Sequence, residues 1–104
     1  MNLFQFFYRQ NPGEHRISYV VKGDADDFNV TFKCGDCAEV KQEPHIHRGW
    51  KYTFVGHAGD YMYVAAQSNK PKSFVNLLIY EDGKLMEKIT KAGDYPIIQA
   101  SGKI

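Results

Sequence analysis

Hydrophobic side chains recur at every second position in several short stretches of the chain, the period of a strand with one face buried and one wet. Ile17, Tyr19 and Val21 share one face within 16–22, Phe28, Val30 and Phe32 alternate with Asn29, Thr31 and Lys33, and Trp50, Tyr52 and Phe54 repeat the pattern. Within 60–67, Tyr61, Tyr63 and Ala65 fall on one face and Met62, Val64 and Ala66 on the other, so this strand is expected to be covered on both sides. The stretch 74–80 is the most apolar of all and reads as a central strand. A more polar candidate, 38–43, reads as an edge strand that Pro44 ends, because proline cannot donate to a ladder.

Turn chemistry separates these stretches. Gly23-Asp24-Ala25-Asp26 is a loop, and Asp82-Gly83 is the dipeptide of a two-residue type I′ hairpin, where both central residues need positive φ. Its return strand is expected over 85–91, followed by the turn Ala92-Gly93-Asp94 and a last strand over 95–100, with Pro96 at its start or on an edge. Seven or eight strands with turn signals about every 8–12 residues predict an all-β, antiparallel β-sandwich. No helical period competes.

The N-terminal segment departs from this order. Leu3, Phe4, Phe6, Phe7 and Tyr8 crowd together without a period, as an extra strand, an arm onto a partner or a remnant. The chain therefore divides into an arm or remnant over 1–15 and a sandwich over 16–104. So much apolar surface invites association, and the arm is expected to pack on its own sandwich or to pair with a second copy as a homo-oligomer.

Composition narrows the function classes. The 104 residues suit one domain, and 43% hydrophobic with 24% charged residues is a globular balance. No apolar run approaches the roughly 20 residues of a membrane-spanning helix, and no secretory signal pattern is present. Thirteen Lys and Arg against twelve Asp and Glu leave a net charge of +1 without a basic block, which argues against nucleic acid as a partner.

Few residues carry recognisable chemistry. Cys34, Cys37, His45 and His47 stand in the order C-x2-C-x7-H-x-H, a donor set that suits tetrahedral zinc at a spacing unlike that of zinc fingers. The plainer reading, a Cys34–Cys37 disulfide closing a tight turn or two free thiols in a loop, takes precedence. Redox chemistry would want the first thiol at a helix N-terminus, and no helix is signalled there. His57 lies in a turn with no nucleophile paired to it by motif, so no catalytic residue and no enzyme activity is expected. Asp24, Asp26 and Asp27 offer too few ligands for calcium, and the acidic pairs Asp26-Asp27 and Glu81-Asp82 sit in turns, where carboxylates bond their own backbone. No cofactor is expected. Most of Trp50, Tyr52, Tyr61, Tyr63, Tyr80 and Tyr95 are expected to fill the core.

The order of these strands resembles the MmpS-like family of transport accessory proteins, including the small Bacteroidota lipoproteins that share its domain. The resemblance runs through Ile17-Ser18-Tyr19-Val20-Val21-Lys22-Gly23, Phe28-Asn29-Val30-Thr31-Phe32, Trp50-Lys51-Tyr52-Thr53-Phe54 and Tyr63-Val64-Ala65-Ala66-Gln67. It continues through Val75 to the Asp82-Gly83-Lys84 hairpin and ends at Gly93-Asp94-Tyr95. It implies an immunoglobulin-like sandwich in the cell envelope, periplasmic or extracellular and anchored in its native form. It also implies a non-catalytic role assisting a membrane transporter. Neither the membrane helix of the mycobacterial branch nor a lipobox cysteine before Arg16 is present in this chain.

Two functions follow as expectations. The first is an envelope domain binding an envelope or membrane protein through a sandwich face, an edge strand or the arm at Leu3, Phe4, Phe6, Phe7 and Tyr8. The second is a module for carbohydrate or metal, using end loops where Cys34, Cys37, His45, His47 and His57 gather. Solvent-facing aromatic rings in a row would favour sugar; an open edge strand would favour a protein partner.

Overall fold

A computed structural model describes residues 13–34 and 39–104. They form eight strands: β1 (Glu14–Gly23), β2 (Phe28–Lys33), β3 (Lys41–Ile46), β4 (Trp50–His57), β5 (Tyr61–Ser68), β6 (Ser73–Glu81), β7 (Lys84–Gly93) and β8 (Ile97–Lys103). Two four-stranded antiparallel sheets result, ordered β4-β1-β6-β7 and β3-β2-β5-β8. The hairpins β2–β3 and β6–β7 stay within one sheet, whereas every other connection crosses between layers. The protein is an all-β sandwich, as the alternation of its sequence requires.

The alternating side chains meet between the layers. Ile17, Tyr19 and Val21 of β1 and Val75, Leu77 and Ile79 of β6 face Phe28, Val30 and Phe32 of β2 and Val64 and Ala66 of β5 in one buried cluster. Each large apolar side chain fully buried there contributes about 1.5–3 kcal/mol relative to exposure. Tyr19 is wholly buried, and its hydroxyl donates to the Lys33 carbonyl across the layers at 3.0 Å. Burial pushes its phenol well above the usual range. No buried side-chain nitrogen or oxygen among the described residues lacks a partner. Gly23, at the exit of β1, is required for a packing reason: a Cβ there would run into the Phe74 carbonyl and the Phe28 ring.

The central strand expected over 74–80 is β6, held between β1 and β7. Asp82 and Gly83 have φ of 52° and 84°, as the expected hairpin turn demands. Other expectations are revised, and the last strand runs Ile97–Lys103 rather than 95–100. β1 begins at Glu14, so two residues assigned to the arm belong to the sandwich; residues 1–12 of the arm, including Leu3, Phe4, Phe6, Phe7 and Tyr8, lie outside the described residues. β5 is covered mainly on its Val64 and Ala66 side, while Tyr61 stays 60% exposed. β3 does not stop at Pro44 but runs through it to Ile46. It passes because β3 is an edge strand and the β2–β3 register shifts between Phe28 and Val30, so Pro44 and His45 bulge out of the ladder. His45 takes a φ of 55° in that bulge, and the Asn29 side chain replaces the lost ladder bond by accepting its N–H at 3.1 Å.

Candidate functional site

The topology separates the chemistry-bearing residues between the two ends of the sandwich. Loops 24–27, 47–49, 69–72 and 94–96 gather at the end where β1 exits, and the β4–β5 turn, the β6–β7 hairpin and Cys34 lie at the other. His45 lies beside the start of β2, whereas Cys34 follows its end; six residues of strand rise about 20 Å. The expected gathering of Cys34, His45, His47 and His57 in one set of loops therefore does not occur. The β2–β3 hairpin sends its turn and its open end in opposite directions. Cys34 is buried and disulfide-bonded, and Cys37 lies outside the described residues. Among the described residues no group of three or more His, Cys, Asp or Glu is placed to hold a metal.

The acidic loop has a structural role instead. Asp24 accepts the Phe74 N–H at 2.9 Å, tying the loop to the start of β6. Asp26 accepts the Arg48 N–H at 2.9 Å and faces His47 Nδ1 at 3.2 Å; the backbone donor first, then His47, holds its carboxyl below the usual range. Asp27 accepts from Asn69 Nδ2 at 2.8 Å and faces His45 Nδ1 at 2.9 Å, and these bonds lower it likewise. An ionised carboxylate only accepts, so His45 and His47 present Nδ1–H to the aspartates. Asp24, Asp26 and Asp27 thus lock loops together. Nearby, Lys72 donates its N–H to Asp94 and Tyr95 donates its N–H to the Lys70 carbonyl, both residues holding positive φ.

At the opposite end, His15 Nδ1 meets Asp82 Oδ2 at 2.8 Å, while Asp82 Oδ1 accepts the Arg16 N–H at 2.9 Å. The Asp82 hydrogen bond is the main reason that the His15 imidazole is raised above its ordinary value. His57 lies between Glu14 and Asp60, 3.8 Å and 3.7 Å away. All four histidines thus face carboxylates.

The concave features are shallow. A recess of about 300 Å³ on the outer face of the second sheet is lined by Asn29, Thr31, Gln42, Pro44 and Gln67, and another of about 200 Å³ lies between Asp24 and Lys72. Of the weighed aromatics, Trp50 and Tyr52 are half-buried against Phe32, with ring centroids 5.1 Å and 4.6 Å away. Tyr63 and Tyr80 are half-buried, while Tyr61 and Tyr95 are 60% and 52% exposed.

A further open feature, one that no motif marked, is the β7 edge. β7 is ten residues long, forms the edge of the first sheet, and has every residue exposed except the half-buried Ile89. Leu85 is 50% and Met86 59% exposed. Opposite Ile79, Leu77 and Val75 stand Glu87, Ile89 and Lys91, so the side facing the other layer carries two charges around one apolar residue. The signal was present in the sequence: charges at both parities mark a strand covered fully on neither face. No helix among the described residues is long and apolar enough to cross a membrane. Comparison of the chain with protein-family models and with curated proteins finds no match.

Proposed function

We propose that this sandwich is a non-catalytic binding domain that takes a protein partner by strand addition along β7. The observation that carries the reading is the edge itself: ten residues, bonded on one side to β6, with exposed Leu85 and Met86 beside the hairpin. An edge strand offers its free N–H and C=O groups to an incoming strand, and alternate side chains supply specificity. Shallow recesses and histidines committed to carboxylates support binding over catalysis. An envelope setting, with a membrane transporter as the protein assisted, belongs to the same proposal; the disulfide at Cys34 supports it, since oxidising compartments sustain such bonds.

The test is a photo-crosslinking residue placed at Met86 in one protein and at Tyr61, on the outer face of the other sheet, in a second. Adducts at position 86 with one identified protein, absent at position 61, are expected. No adduct at 86, or equal capture at both positions, overturns the reading.

A second reading has its own observation. The outer face of the second sheet joins exposed Tyr61 to Tyr63, Gln67 and Gln99, and amides beside tyrosine rings suit a neutral saccharide. Amide shift changes of Gln67 and Gln99 on titration with neutral oligosaccharides test it, and an unchanged spectrum removes it.

A further inference from the structure

We infer that the occupant of the β7 edge is a second copy of this chain, paired antiparallel with Ile89 on the two-fold axis. The inference rests on the strand-addition reading and names its partner.

The register of β7 against itself selects this partner. Residues directly opposite in an antiparallel pair share a face, and a two-fold axis at residue 89 sets each position against its mirror about that residue. Glu87 then faces the partner's Lys91, and Lys91 faces the partner's Glu87, on the face they share with Ile89. Ile89 meets its own copy, apolar against apolar. Neighbouring registers are worse: an axis at Lys88 or Lys91 sets ammonium against ammonium, one at Glu87 sets carboxylate against carboxylate, and one at Thr90 sets Ile89 against Lys91 and leaves Glu87 opposite Gly93 with no counter-charge. Opposite charges directly across a ladder stabilise it and like charges destabilise it, so the edge selects one register of itself.

The charges answer a design question too. An inward charge is a common guard against unwanted edge pairing. Here the two guards have opposite sign and sit symmetrically about Ile89, so they oppose a neutral apolar strand and complement a second β7. Neither Glu87 nor Lys91 forms an ion pair with another described residue, which leaves both available.

The test uses sedimentation equilibrium on the full 104-residue chain, with Glu87→Lys, Lys91→Glu and the double swap. The wild-type chain is expected to dimerise. Each single reversal creates two like-charge pairs and should weaken dimerisation about tenfold or more. The double swap should restore it, and an equimolar mixture of the two single variants should form the mixed dimer, a recovery that misfolding cannot imitate. A monomeric wild-type chain overturns the inference. So does a dimer indifferent to the reversals, including one lost only on deletion of residues 1–12. If the chain is monomeric while position 86 still crosslinks to an identified different protein, strand addition survives and self-pairing fails.

Discussion

Along the β3 and β4 side of the sandwich, half-buried Trp50, Tyr52 and Phe54 close the gap between the layers; along the β7 side, ten residues project with only Ile89 tucked in. The closed side is tied across the layers. Trp50 Nε1 donates to Glu43 Oε2 at 3.0 Å, and Lys41 stands 5.6 Å from the centre of the Tyr52 ring. Its β3 edge is also interrupted by Pro44 and the bulge at His45. The β7 edge carries a bulge of its own at Met86, where Ile79 pairs with Glu87 but Tyr80 with Leu85, and is regular from Glu87 to Gly93. Both sides end in edge strands, so strand propensity does not separate them. What differs is the reach of the side chains that face the opposite layer: large rings on β4, and charges around a single isoleucine on β7.

The largest effect that would break this contrast lies on the closed side. Phe32→Ala removes the ring on which Trp50 and Tyr52 pack and should cost about 3–5 kcal/mol by denaturant unfolding. Leu85→Ala on β7 should stay within about 0.5 kcal/mol in the same measurement. Equal costs would mean that the two sides are not built differently. Asn29→Ala sharpens the comparison at the β3 edge. It removes the acceptor for His45 N–H and Asn69 Nδ2 and should cost about 1–2 kcal/mol, with faster hydrogen exchange confined to β3 and the neighbouring loop. Protection unchanged in β3 would show that the bulge holds without its cap. Trp50→Phe keeps the ring packing but loses the bond to Glu43, and about 1 kcal/mol is expected.

The smallest effect concerns the ends rather than the sides. Asp26 and Asp27 are lowered, so the stability they contribute is present above the ordinary carboxylate pKa and is lost as pH falls through their folded values. His15 is raised, so its contribution is present below the ordinary imidazole pKa and is lost as pH rises through its folded value. Thermal midpoints should therefore be highest between about pH 4 and about pH 6.5. These groups are solvent-accessible, so the rise should be small and should shrink in salt. Asp82→Asn should return the His15 imidazole towards its ordinary value in an NMR titration; no movement would show that the Asp82 contact does not raise it.

Much of the fold was legible because a strand with one buried face writes itself locally. The alternation at Ile17, Tyr19 and Val21, the alternation at Phe28, Val30 and Phe32, and the Asp82-Gly83 hairpin all survive in the structure. The end of β3 was misread because Pro44 excludes a ladder bond only where one is required, and the bulge with Asn29 removes the requirement. The loop histidines were grouped by their nearness in sequence to Cys34 and Cys37. A hairpin returns the chain alongside itself, so His45 comes back to the level of Phe28 rather than that of Cys34.

Side-chain parity and turn chemistry act between near neighbours, so residue order alone shows which segments are strands, which of their faces is apolar and where the tightest hairpin turns. Only long-range packing places β6 between β1 and β7, brings Asp24 to the Phe74 N–H and Asp27 to Asn69 and His45, and leaves β7 hydrogen-bonded to a single strand. Each of those outcomes depends on which distant segment supplies the next strand, and residue alternation carries no record of that choice.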